Sequence, residues 1–135
     1  MYELIQHTAD IRIRVVAPSV EELFRDSLRG LMHYIAGEAS PPGFVASARN
    51  DVWVDAPDRT ALLVDFLNEA LLRSHLDRVV FGDVTFASLT ETSVAATLVA
   101  TEADMAEDVK AVTYHEADVR QTDDGRWTTT IVLDI

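Results

Sequence analysis

The sequence WTTTIVLDI at residues 127–135 alternates between two sets of side chains, as a β-strand with one buried face does. One face carries Trp127, Thr129, Ile131, Leu133 and Ile135, and the other carries Thr128, Thr130, Val132 and Asp134. An Asp-Gly turn signal lies just before this strand, and an earlier arm begins near Val119, so a hairpin is predicted here. The hairpin places an acidic residue, Asp134, at the far end of its second strand.

More strands are predicted upstream of this hairpin. Residues 79–89 and 93–101 flank a short polar turn and are expected to form a second hairpin. The VWV sequence at residues 52–54 marks the centre of another strand. We expect both tryptophans, Trp53 and Trp127, to lie in the core, because neither is interleaved with the basic residues of a nucleic-acid-binding surface.

The start of the chain predicts two further strands with a break between them. Residues 2–6 form the first, and Ile11, Ile13 and Val15 define the buried face of the second. The HTAD sequence at residues 7–10 interrupts the two strands.

Two amphipathic helices are predicted between the strands. The first begins at a capping box, in which the Ser19 hydroxyl accepts from the N–H of Glu22, and ends near Gly37. Its glycine at position 30 costs about 1 kcal/mol against alanine, which indicates either close packing or drift. The second helix is capped by Asp58. Its expected buried stripe is Leu62, Leu63, Phe66, Leu67, Ala70 and Leu71.

The order of elements is therefore β, β, α, β, α, β, β, β, β, with short turns between the late strands. This order predicts an α+β fold, a two-layer sandwich in which two α-helices pack on one face of a mostly antiparallel β-sheet. The 135 residues, of which 48% are hydrophobic, suit a single domain spanning residues 1–135.

Composition narrows the classes of function. The sequence has no cysteine, which excludes disulfides, thiolate metal sites and cysteine nucleophiles. It has neither a long apolar run nor a signal-peptide pattern, so a cytoplasmic protein without a membrane span is expected. The net charge of −12, from 11 basic and 23 acidic residues, argues against strong direct binding of nucleic acid and favours cations or a basic partner protein.

One group of acids is a candidate metal site. Asp134 and the α-carboxylate of Ile135 are adjacent, and Asp10 joins them if the last strand pairs beside the first or the second strand. Clustered carboxylates repel one another, and a hard cation that prefers oxygen ligands removes that penalty. The alternative interpretation is a solvated chain end and a loop aspartate that acts as a cap.

Lys110 is the only lysine of the chain and lies in an acidic stretch. It is either a contact to a phosphate, to a partner or to the acidic site, or a surface residue that balances Glu107 and Asp108.

Asp65 and Glu69, one helical turn apart, are a second possible cation site or simply a solvated face. The four histidines are scattered, and neither a Gly-x-Ser-x-Gly nor a glycine-rich phosphate loop is present.

Several of these stretches together resemble the archease family. They are the opening HTADI at residues 7–11, SVEELF at 19–24, LLVDFLNE at 62–69, KAVTYH at 110–115 and the closing Asp134-Ile135. The resemblance spans nearly the whole chain in the family's order. One departure concerns the candidate site: Arg12 stands where the family often has glycine, which places a cation beside Asp10 and is expected to weaken metal binding.

The resemblance implies a non-catalytic activator of a tRNA-splicing RNA ligase that uses GTP and manganese. Such activators promote guanylylation of a histidine on the ligase and its multiple turnover. The resemblance also implies a divalent cation, calcium in structures with magnesium or manganese as alternatives, held by Asp10, Asp134 and Ile135. It assigns Lys110, together with His7 of the opening motif, to the partner and to activation.

Two other classes of function stay open from the residues. The first is a metal-dependent hydrolase that uses Asp10 and Asp134 with His7 or His115, although no compact catalytic constellation is evident. The second is a chaperone-like adaptor for RNA-modifying enzymes.

Overall fold

The computed structural model of the chain describes residues 1–6, 10–37, 48–101 and 103–135. The last strand lies at the centre of the larger of two antiparallel sheets. The elements are β1 (Tyr2–Gln6), β2 (Ile11–Ala17), α1 (Val20–Ala36), β3 (Arg49–Asp55), α2 (Arg59–Asp77), β4 (Val80–Leu89), β5 (Ser93–Thr101), β6 (Ala111–Thr113), β7 (Arg120–Gln121) and β8 (Trp127–Asp134). The predicted α+β class, with two helices and mostly antiparallel strands, is confirmed.

The five-stranded sheet has the order β1-β2-β8-β6, with β7 also paired to β8. Strand β2 pairs with β8 along nearly its whole length, from Ile11↔Leu133 to Ala17↔Trp127. On its other edge β8 pairs with β7 near its beginning and with β6 near its end. The end of β8 is therefore enclosed by a neighbouring strand on both sides.

The second sheet has the order β3-β5-β4, and both helices contact both sheets. Helix α1 packs on β2 and β4, while α2 packs on β3 and β6. The helices thus form a layer whose buried side chains join the two sheets into one core. The sequence pattern predicted seven of the eight strands in the described residues and missed β6, which is only three residues long. It did not predict the division of the strands between two sheets, because pairing between distant strands leaves no local signal.

Both predicted helix caps are present. The Ser19 hydroxyl accepts from the N–H of Glu22 at 3.1 Å, and the Asp58 carboxylate accepts from the N–H of Ala61 at 2.8 Å. Helix α1 ends at Gly37, whose φ of 76° suits glycine. A Cβ added at Gly30 would lie 3.0 Å from Cγ2 of Ile13, so the close packing that this glycine indicated is confirmed.

The core prediction is wrong for Trp53. On the face of β3 that packs against α2, Val52 is buried and Asn50 and Val54 are partly buried. Trp53 points to the opposite face of the three-stranded sheet and is 66% exposed. Alternation shows that two faces differ without showing which one is covered. Trp127, by contrast, is partly buried against the core. No helix in the described residues is long and apolar enough to span a membrane.

Candidate metal and partner site

The strand ends around the terminus of β8 bring four of the predicted site residues to one end of the five-stranded sheet. Ile11↔Leu133 is the last pair between β2 and β8, and Asp10 and Asp134 are the next residues on these two chains. On the other edge, Ala111 pairs with Asp134, and the N–H of Lys110 donates to the carbonyl oxygen of Asp134 at 2.8 Å. Asp10, Asp134, Ile135 and Lys110 thus belong to one strand-end cluster.

Strand alternation also gives the two aspartates a common face. Ile11 and Leu133 are buried beneath the helices, so their neighbours Asp10 and Asp134 belong to the opposite face of the sheet. Asp134 is exposed, whereas the Asp10 side chain is only 27% exposed. The cluster therefore presents one accessible carboxylate and one half-enclosed carboxylate.

The half-enclosed carboxylate of Asp10 lacks a full set of partners. Its Oδ1 atom is buried and has no hydrogen-bond partner among the described residues. A buried carboxylate oxygen without a partner is costly and is unusual in folded proteins. A hard divalent cation, which prefers carboxylate oxygens, is the kind of group that would satisfy it.

Arg12 is the one cation that approaches this oxygen in the described part of the chain. Its Nε lies 3.6 Å from Oδ1 of Asp10 and 3.3 Å from Oε2 of Glu116. Nε is itself buried and has no hydrogen-bond partner there. Nε of Arg12 therefore lies near two carboxylates and forms a hydrogen bond with neither of them.

Lys110 combines a fixed backbone with a free side chain. Its N–H is held by Asp134, while its ammonium group is exposed and forms no ion pair within the described residues. The alternative prediction, a lysine that balances Glu107 and Asp108, has no support in these contacts. The side chain is free to contact a group outside the chain.

Helix α2 holds the segment that follows Lys110. The Asn68 side chain donates from Nδ2 to the carbonyl oxygen of Val112 and accepts from the N–H of Val112 with Oδ1, both at 2.8 Å. This reciprocal pair replaces the strand that β6 lacks on its outer edge. Because β6 is short, Asn68 is a principal determinant of where Lys110 lies.

Two further contacts extend this attachment along α2. The Tyr114 hydroxyl donates to Asp65, and the N–H of Val119 donates to the hydroxyl of Thr60 at 2.9 Å. The bond to Asp65, together with burial and the charge of Asp65, raises the pKa of Tyr114 to about 12. Segment 112–119 is thereby fixed to one side of the helix at three points.

These contacts remove Asp65 and Glu69 as a joint cation site, since Asp65 accepts from Tyr114 and Glu69 pairs with Arg73 at 3.0 Å.

Within the described ranges, no group of three or more His, Asp or Glu side chains could hold a metal ion. A cation at the strand-end cluster would have two aspartate side chains and would need further oxygen donors. His7 lies outside the described residues, and His115 is exposed.

Sequence reasoning missed two residues of this region, Asn68 and Glu116. Asn68 lies outside the predicted buried stripe of the second helix, and a helical polar residue gives no sign that it pairs with a distant strand. Glu116 has a φ of 60°, a left-handed conformation that is uncommon outside glycine. Neither the turn nor the contact of Glu116 with Arg12 follows from local sequence pattern.

A small α+β protein with a layer of two helices joining two antiparallel sheets, and with acids at the end of the central strand, is the class that this fold and site define. The sequence model described as the archease protein family (MTH1598/TM1083) matches residues 2–135. The chain belongs to the archease family.

Individual relatives match this chain over almost their full lengths. The chain is 29% identical to the protein archease of Methanosarcina barkeri, covering 99% of this chain and 95% of that one. It is 30% identical to the protein archease of Thermococcus kodakarensis, covering 99% and 98%.

Two solved structures share the fold. The solution structure of protein 1598 of Methanobacterium thermoautotrophicum aligns with a TM-score of 0.76 at 22% identity, covering 99% of this chain and 98% of that one. The crystal structure of a Thermotoga maritima protein described as an archease, possible chaperone, aligns with a TM-score of 0.65 at 20% identity, covering 100% and 98%.

Proposed function

We propose that this protein is a non-catalytic activator of a GTP- and manganese-dependent tRNA-splicing RNA ligase. In this proposal it promotes guanylylation and multiple turnover of the ligase through its strand-end cluster. The observation that carries the proposal is the convergence of Asp10, Asp134, Ile135 and Lys110 at the end of β8. Family membership supports it, because the same residues lie in the stretches that resemble archease motifs.

The cluster is proposed to hold a divalent cation, with calcium as the first candidate and magnesium or manganese as alternatives. Asp10 and Asp134 would supply side-chain carboxylates, and Ile135 is the third proposed contributor. The unpartnered Oδ1 of Asp10 is the structural feature that fits such an ion. When bound, the cation would supply positive charge that neutralises the cluster and polarises oxygen atoms of a partner or nucleotide.

The charge of the protein suits a basic partner. A ligase that binds RNA and GTP must present a positively charged active site, because both substrates are polyanions. A protein of net charge −12 would be steered toward such a site. In this account RNA is bound by the ligase, and the archease-family chain contacts the ligase itself.

Lys110 is proposed to act beside the acids. Its ammonium group is exposed and without an ion pair in the described residues, while its backbone is fixed to Asp134. A compact cation so placed could contact a phosphate of the nucleotide or a carboxylate of the ligase. His7 is proposed to belong to the same activating surface because it opens the motif that contains Asp10.

The test is ligation by the cognate ligase at low enzyme and excess RNA, with and without this protein. The proposal expects product in excess of enzyme only when the protein is present, together with faster formation of guanylylated ligase. Equal product with and without the protein would contradict it.

A second assay distinguishes the enzyme alternative. The purified protein alone is incubated with phosphatase and nuclease substrates and with each divalent cation. Metal-dependent turnover without ligase would replace the activator proposal by a hydrolase. No turnover, combined with ligase activation, supports the activator.

A further inference from the structure

We propose that Arg12 and Glu116 set the cation affinity of the strand-end cluster, with Arg12 as a built-in competitor for Asp10 and Glu116 as its alternative partner. The inference rests on the proposed metal site and concerns its regulation in this particular chain. It predicts that cation binding moves Arg12 away from Asp10 and toward Glu116.

The guanidinium group of Arg12 lies near two carboxylates. Its Nε lies 3.6 Å from Asp10 and 3.3 Å from Glu116, so at this nitrogen it is near both carboxylates but closer to Glu116. The Arg12 and Asp10 side chains are 25% and 27% exposed. Partial burial lowers the screening between these charges, so the competition between Arg12 and a cation for Asp10 is stronger here than on an open surface.

The contact between Arg12 and Asp10 is not closed by a hydrogen bond at Nε. Nε of Arg12 and Oδ1 of Asp10 are both buried, and neither has a hydrogen-bond partner among the described residues. An ion pair built only to stabilise the fold would be expected to close a direct hydrogen bond, as charge-assisted pairs usually do. Because no hydrogen bond occupies Oδ1 of Asp10, this oxygen is available to a cation. The nearby Arg12 partly compensates the charge of the Asp10 carboxylate.

The backbone of Glu116 adopts an uncommon conformation. Its φ of 60° is a conformation that costs free energy for a residue with a side chain. The neighbouring contacts hold it there: Ala117 donates its N–H to the carbonyl oxygen of Tyr114, and Val119 donates to Thr60. The backbone that carries Glu116 is therefore fixed, and its carboxylate lies 3.3 Å from Nε of Arg12 as an alternative acceptor.

The charges give the sign of each effect. Removing the positive charge of Arg12 leaves Asp10 without its competitor, so the cation binds more tightly. Removing the negative charge of Glu116 leaves Arg12 with Asp10 as its remaining acidic neighbour, so the cation binds more weakly. If Glu116 acts only through Arg12, its removal has no effect once Arg12 is neutral.

The test is calorimetric titration of calcium and manganese into the wild type, Arg12→Gln, Glu116→Gln and the double variant, without ligase. We expect Arg12→Gln to lower the Kd about tenfold, which corresponds to about 1.4 kcal/mol. We expect Glu116→Gln to raise the Kd several-fold in the wild type and to leave it unchanged in the Arg12→Gln background. Arg14→Gln is the matched control, because Arg14 lies on the same face of β2, carries the same charge and has no ion pair in the described residues.

Each outcome has a distinct meaning. A Kd that is unchanged or raised by Arg12→Gln, or lowered equally by Arg14→Gln, overturns the role of Arg12. A loss of affinity in Glu116→Gln that persists in the double variant shows that Glu116 acts on the cation directly, as a ligand or through its charge, and overturns its role as the partner of Arg12. Binding by none of the four proteins at millimolar cation overturns the metal site itself, and this inference falls with it.

Discussion

The N–H of Lys110 donates to the carbonyl oxygen of Asp134 at 2.8 Å, which joins the lysine of the KAVTYH stretch to the acid at the end of β8. The bond lies next to the pair Ala111↔Asp134, which is the last residue pair between β6 and β8 at this end of the sheet. It means that the lone lysine and one of the two aspartates are positioned by the same backbone contact. Both residues therefore lie at the same end of the sheet.

Replacement of Lys110 by alanine is expected to reduce ligase activation at least tenfold while leaving the fold intact. The side chain is exposed, and substitutions at such positions usually change stability by less than about 0.5 kcal/mol. Initial rates of ligation and the thermal midpoint are measured together. Arg49→Ala, which removes one exposed positive charge on β3, controls for net charge. Full activation by folded Lys110→Ala protein would refute the role of this lysine.

Replacement of Asn68 by alanine is expected to destabilise the protein by about 2 kcal/mol, because it leaves both the N–H and the carbonyl oxygen of Val112 without a partner. Asn68→Asp retains an acceptor but loses the donor, so it should also destabilise. Urea unfolding and amide exchange at Val112 measure the effect. Unchanged exchange at Val112 in Asn68→Ala would show that Asn68 does not hold β6.

The bond from Tyr114 to Asp65 predicts a late tyrosine titration. Its pKa is raised to about 12, chiefly by the hydrogen bond to Asp65. Because the folded pKa exceeds the ordinary value of 10, the contribution of this bond is complete below about pH 10 and is lost as the pH rises through 12. Phenolate absorbance followed against pH should lose this late component in Tyr114→Phe and shift it lower in Asp65→Asn. A Tyr114 titration near 10 in the folded wild type would contradict the contact.

Replacement of Trp53 by threonine is expected to change the free energy of unfolding by less than about 0.5 kcal/mol, because the indole is 66% exposed and threonine favours strands. Phe81→Ala, at a fully buried position of β4, is the contrasting variant and should cost about 3–5 kcal/mol. Urea unfolding of both variants provides the comparison. A large loss in Trp53→Thr would restore the core assignment.

The parts of the fold that depend on near neighbours could be predicted from the sequence. The caps at Ser19 and Asp58 are such cases, since a side-chain oxygen and an N–H three residues later form the whole contact. The turn at Gly125 is another, because its φ of 86° suits glycine. The core prediction for Trp53 was wrong because the alternation in β3 shows only that its two faces differ. The packing of α2 decides which of the two faces is covered.

The candidate site also has parts that could be predicted from the sequence and parts that could not. Asp10, Asp134 and Lys110 could be selected as candidates because acids and a lone lysine are visible in the sequence. Their common position at the end of β8 depends on strand register, which distant pairing fixes. The contacts of Asn68 with Val112 and of Glu116 with Arg12 join residues far apart in the chain, and no local periodicity encodes them.

The most direct test of the account is the number of RNA molecules joined per ligase with the double variant Asp10→Asn and Asp134→Asn as activator. Asp55→Asn is the control, since Asp55 is exposed on β3 and makes no ion pair in the described residues. The account predicts about one joined RNA per ligase with the double variant and many with the wild type or Asp55→Asn. Multiple turnover that is undiminished by the folded double variant would contradict it.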